Sequence, residues 1–135
     1  MIHANPPLHH VGIVQPDEAA VATQLELLGL TESYRGYVPE FHALCIFTDP
    51  VNGGSPIEFV VADGGPLLKF NKGAGGIHHV AFEVPDIAAL TEDFAARGLR
   101  MIEPKAVKGA GNFLCNFLSP VATRGIIVEY VQVLG

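Results

Sequence analysis

The chain has 135 residues, the size of one domain with room for a buried core; 49% are apolar and only 16% charged, which excludes disorder of the highly charged kind. The formal charge of −6, from 14 acids against 8 bases, argues against a nucleic-acid partner, which needs a basic stripe, and no apolar run reaches the roughly 18 residues that cross a membrane. Cys45 and Cys115 lie too far apart for a paired-cysteine motif, and "MIHANPPLHH" lacks the basic and apolar regions of a signal peptide, so a reducing cytoplasm is expected.

His3 falls in a tail expected to be flexible. After Pro6-Pro7, Leu8–Val14 reads as a buried strand. Pro16-Asp17 then opens a helix whose apolar stripe is Val21, Leu25 and Leu28, and Gly29 is placed to end it. Strands are expected at Thr31–Val38, Phe41–Thr48 and Pro56–Ala62, with "NGGS" at Asn52–Ser55 turning the chain between the last two. The same order follows again. Ile77–Val84 reads as a strand and Asp86–Arg97 as a helix with Ile87, Leu90 and Phe94 on one face. Strands then fit Leu99–Glu103, Asn112–Leu118 and Gly125–Val131.

The two halves also repeat in their letters. "LHHVGIVQPD" at Leu8–Asp17 returns as "IHHVAFEVPD" at Ile77–Asp86, an offset of 69 that also carries Gly29 to Gly98. "FTDPV" at Phe47–Val51 returns as "FLSPV" at Phe117–Val121, and "IEFVV" at Ile57–Val61 as "VEYVQ" at Val128–Gln132, with offsets of 70 and 71. This is a duplicated βαβββ unit within a single α+β domain spanning 1–135, with module 1 at about 7–65 and module 2 at about 76–133.

Strand side chains alternate between faces. Val11 and Ile13 can pack under the first helix, which turns His10 the other way. Val80 and Phe82 do the same for His79. Ile57, Phe59 and Val61 pack while Glu58 does not, and Val128 and Tyr130 pack while Glu129 does not. A carboxylate inside "PIEFVV" or "IIVEYV" is costly unless it is paired, protonated or bound to a metal. One such histidine is more often a satisfied core residue, and one such glutamate more often sits at a wet rim. Four at equivalent places of a repeat point instead to a divalent cation held by His10, Glu58, His79 and Glu129, with Co, Ni, Mn, Zn or Mg all open. His9 and His78 fall on the opposite, helix-side face and read as structural.

"HHVGI", "VPE" at Val38–Glu40, "IEFV", "GGIHHVAFEV" at Gly75–Val84, "FLSP" and "GIIVEYV" resemble the vicinal oxygen chelate (glyoxalase/bleomycin-resistance/dioxygenase) superfamily, and within it the methylmalonyl-CoA epimerase family. The resemblance runs from Leu8 to Gln132. It implies two tandem βαβββ modules forming a curved, partly open mixed sheet around a metal-binding cleft, with helices outside. It implies His10, Glu58, His79 and Glu129 as metal ligands, and Glu40 with Glu129 as the catalytic acids. The chemistry implied is proton abstraction next to a carbonyl through a metal-stabilised enolate, on methylmalonyl-CoA or a similar acyl-CoA, in a homodimer.

Departures keep other readings open. The family's "GAHGK"-like loop is "GAGNF" here, at Gly109–Phe113, without its His and Lys. Lys69, Lys72, Lys105 and Lys108 are available to phosphates but scattered. A glyoxalase I-like lyase, or another metal-dependent enzyme on a different oxygen-chelating metabolite, would use the same ligand set. A non-catalytic drug-binding protein is the third reading, and the four retained ligands count against it.

Overall fold

The computed structural model describes residues 4–135, so the reading of His3 lies outside the described residues. The chain divides into two compact units: His10–His78, and residues 4–9 together with His79–Gly135. Within the described residues no helix is long and apolar enough to cross a membrane.

In the first unit β1 (Leu8–Val14) leads to α1 (Glu18–Leu28), then β2 (Glu32–Val38), β3 (Ala43–Thr48) and β4 (Ile57–Ala62). The strands lie in the order β2-β3-β4-β1. β4 runs parallel to β1 and antiparallel to β3, which is antiparallel to β2. The repeated Asp and Gly are helix punctuation. Asp17 accepts the Ala20 N–H at 2.8 Å as N-cap, and Gly29, at φ 67°, takes the left-handed turn that closes the helix. Val21 of α1 packs with Ile46 and Phe59, flanked by Ile13, Leu25, Leu44, Ile57 and Val61, whereas Leu28, expected in the same stripe, is exposed at the last turn of the helix. Each large apolar side chain buried there contributes roughly 1.5–3 kcal/mol.

The second unit repeats the plan with β5 (Gly76–Glu83), α2 (Ile87–Ala96), β6 (Val107–Lys108), β7 (Phe113–Leu118) and β8 (Val128–Val133), in the order β5-β8-β7-β6. Asp86 caps α2 by accepting the Ala89 N–H at 3.1 Å. Ile87, Leu90 and Phe94 pack with Val84, Met101 and Leu118, and Tyr130 joins from β8.

One expected strand is absent and another is displaced. Leu99–Glu103 forms only an isolated bridge, Met101 to Leu118, and the paired strand lies further on at Val107–Lys108. Two backbone bonds flank that bridge, from the Ile102 N–H to the Phe117 carbonyl at 2.7 Å and from the Ser119 N–H to the Arg100 carbonyl at 2.8 Å, and at Glu103 a side chain takes over from the ladder. The Asn116 amide donates to the Glu103 carbonyl and accepts the Glu103 N–H, both at 3.0 Å, and accepts the Phe117 N–H at 2.8 Å. Pro104 follows and has no N–H to offer a ladder. The strand expected at Gly125–Val131 begins later, at Val128, after a turned segment in which Arg124 and Gly125 have positive φ. Asn116→Ala, which strands three backbone groups in a buried place, is expected to cost about 1–3 kcal/mol in urea unfolding.

Candidate metal centre

Cross-strand register builds the same arrangement twice. In the first unit Glu58 of β4 lies beside Gly12 of β1 on one side and Phe47 of β3 on the other. In the second, Glu129 of β8 lies beside Ala81 of β5 and Phe117 of β7. Residues opposite each other in a sheet share a face, so each glutamate points away from its helix with a small residue and a phenylalanine as neighbours. His10 and His79 stand two residues before Gly12 and Ala81 and therefore on that same face.

The histidines and glutamates meet in pairs. His10 Nε2 lies 3.4 Å from Glu58 Oε1, and His79 Nε2 lies 3.1 Å from Glu129 Oε1. All four side chains are buried, His10 completely. Each pair offers an imidazole and a carboxylate, donors with the chemistry to hold a metal ion. The spacing suits one. Two ligands about 2.1 Å from an ion lie roughly 3.0 Å apart at right angles and roughly 3.4 Å apart at the tetrahedral angle. The donors are imidazole and carboxylate, which fits a borderline or hard divalent ion rather than a soft one.

Aromatic rings that strand alternation alone did not single out stand against both imidazoles. Phe47 meets His10 edge-on, with centroids 5.2 Å apart, and Phe117 meets His79 edge-on at 5.4 Å. Their visible signal was the "FTDPV"/"FLSPV" repeat. Tyr34 stacks on Phe47 at 4.9 Å. Burial, then the charges of Glu58 and Cys45, push the Tyr34 phenol up to about 12, so it stays a neutral hydroxyl at neutral pH.

Glu40 lies outside the four buried residues of the two pairs. It sits exposed in a 3-10 turn, Pro39–Phe41, closed by His42 in the left-handed region at φ 51°. That turn lies past the Ala43–Ala62 end of the hairpin. Four residues of β4 then separate Ala62 from Glu58, roughly 13 Å of strand at 3.3 Å per residue. The turn is anchored nevertheless: the Asp63 N–H donates to the His42 carbonyl at 2.8 Å, and the Tyr37 hydroxyl donates to the Asp63 carboxylate at 2.9 Å.

The remaining sequence candidates divide plainly. His9 lies half-buried with its ring 5.5 Å from Phe113, and His78 lies half-buried edge-on to Phe70 at 4.8 Å. Lys69, Lys72, Lys105 and Lys108 are all exposed. The Lys108 ammonium donates to the Gly111 carbonyl and so helps close the "GAGNF" turn. Cys45 and Cys115 are buried and form no disulfide.

The chain belongs to the glyoxalase/bleomycin resistance protein/dioxygenase superfamily, whose model matches residues 9–117. It is 34% identical over 132 residues, 93% of this chain and 97% of the relative, to the ethylmalonyl-CoA/methylmalonyl-CoA epimerase of Cereibacter sphaeroides. It is 31% identical over 129 residues to the mitochondrial methylmalonyl-CoA epimerase of Mus musculus, covering 93% of this chain and 72% of that one. The crystal structure of methylmalonyl-CoA epimerase from Mycobacterium tuberculosis shares the fold, with a TM-score of 0.86 and 23% identity over 95% of this chain and 88% of that one.

Removing one member of a buried pair leaves the other charge uncompensated. With chelator present, His79→Ala is expected to lower unfolding stability by about 3–5 kcal/mol in urea titration. A loss under about 1 kcal/mol would show that Glu129 is held mainly by other groups.

Proposed function

We propose that this chain is a metal-dependent epimerase that inverts the carbon next to the thioester of methylmalonyl-CoA or a closely similar acyl-CoA. The observation that carries the reading is the presence of both buried His–Glu pairs in a chain 34% identical, over nearly its whole length, to an ethylmalonyl-CoA/methylmalonyl-CoA epimerase. His10, Glu58, His79 and Glu129 would together hold one divalent ion. Such an ion supplies Lewis-acid stabilisation of the negative charge that develops on the substrate's carbonyl oxygens.

The chain's own task is to move a proton. Inversion needs an acid-base group on each face of the substrate carbon: one carboxylate takes the C2 proton and the other returns a proton to the opposite face. Glu129 is buried on the ligand face, in a setting able to tune its basicity. Glu40 is the second acid, reaching the substrate from an anchored turn at the far end of the β2–β3 hairpin. Burial of the His–Glu face excludes bulk water, which strengthens each electrostatic contact made there.

A lyase acting through an ene-diolate is the second reading. The "GAGNF" turn favours it, because the His and Lys of the epimerase family's "GAHGK"-like loop are missing there. That turn is closed on itself and carries no side chain of the family's "GAHGK" kind.

Deuterium uptake at C2 of methylmalonyl-CoA in heavy water, with cobalt-loaded protein and a chelated control, tests the proposal. Metal-dependent exchange at enzymatic rates is expected, and its absence with metal shown to be bound would move the substrate elsewhere. Glu40→Gln is expected to slow turnover by about 10²–10⁴-fold while metal content stays at the parent level. Full turnover in that variant would remove Glu40 from the reaction.

A further inference from the structure

Backbone register places His10 and His79 on the right face but does not aim their ring nitrogens. The terminal torsion of a histidine is broad, so Nε2 can swing while the strand stays fixed. Each imidazole of the proposed metal centre meets a phenylalanine at nearly a right angle, 84° for His10 with Phe47 and 89° for His79 with Phe117. At centroid distances of 5.2 and 5.4 Å these are close edge contacts, in the range aromatic pairs prefer. Turning either ring about its Cβ–Cγ bond would drive it into that phenylalanine. The same phenylalanine lies directly across from the glutamate of its pair.

The internal repeat separates this face from the other. Between β3 and β7 two helix-side residues have diverged, with Ile46 replaced by Asn116 and Thr48 by Leu118, while Leu44 recurs as Leu114. On the face of the His–Glu pairs Cys45 and Phe47 recur as Cys115 and Phe117, while Ala43 becomes Phe113. One difference remains. Tyr34 stacks on Phe47 with planes 10° apart. An offset of 69 carries Tyr34 to Glu103, whose backbone the Asn116 amide holds.

We infer that Phe47 and Phe117 are positioning residues that fix the imidazole planes of His10 and His79 for a metal ion, and that Tyr34 braces Phe47 alone. This inference rests on the metal-centre reading above. The two half-sites are thus built alike but stiffened unequally.

Cobalt(II) binding tests it, read as dissociation constant by equilibrium dialysis and as the visible ligand-field spectrum, with folding checked by circular dichroism. Phe117→Leu and Phe47→Leu are expected to weaken binding about tenfold and to shift the bands. Tyr34→Leu is expected to weaken it about threefold, and Tyr34→Phe, which keeps the ring, to match the parent. Folded leucine variants at 47 and 117 with parental affinity and spectrum would overturn the inference. Should they not fold, the partly exposed Tyr34→Leu decides, and parental values there would overturn it. Failure of the metal-centre reading looks different: His10→Ala would then bind cobalt as the parent does.

Discussion

A glutamate buried within a strand is the constraint around which each half of this protein is arranged. Glu58 and Glu129 keep only 6% and 3% of their surface exposed, and a carboxylate so placed costs several kcal/mol unless something answers its charge. The answer is an imidazole on the neighbouring parallel strand. Everything nearby serves that contact. Gly12 and Ala81 leave room beside the carboxylate, the phenylalanines close its other flank, and the helix supplies apolar burial on the reverse face to hold four strands in register. The polar face is thus stabilised by the apolar one, through the same strands.

Much of this was legible in the letters. Strand alternation separated His10, Glu58, His79 and Glu129 from their helix-facing neighbours, and the Pro-Asp and Gly repeats marked both helices. Three features were not legible, each for a different reason. Leu99–Glu103 has the composition of a strand, but its fate is set by Asn116, thirteen positions later, whose amide imitates a strand partner. Phe47 and Phe117 were visible as a repeat, yet their role depends on which residue faces them across the sheet. The separation of Glu40 from Glu58 depends on the hairpin register, since both are glutamates near strand ends and the sequence does not say how far apart the ends lie.

The comparison of the two copies says which parts of the plan tolerate change. Helix-side positions have exchanged apolar for polar residues, as at Ile46 and Asn116, and one strand has been partly dismantled. The ligand face has kept its histidine, glutamate, phenylalanine and cysteine in both. A core can be repacked with many combinations of similar volume. A buried imidazole–carboxylate pair has far fewer solutions, since each member must answer the other.

The dismantled strand also bears on how the protein behaves in a crowded solution. β6 offers two residues of ladder beyond β7, and Pro104 sits close upstream. β2, which closes the strand order of the other unit, has an irregular register between Glu32 and Tyr34 and carries Arg35, whose guanidinium is gripped by Glu32 and Glu18. Short, bulged or charged margins are the devices by which sheets refuse an incoming strand from another chain. The two-residue β6 and the irregular, charged β2 are margins of that kind, leaving little regular strand edge for another chain to extend.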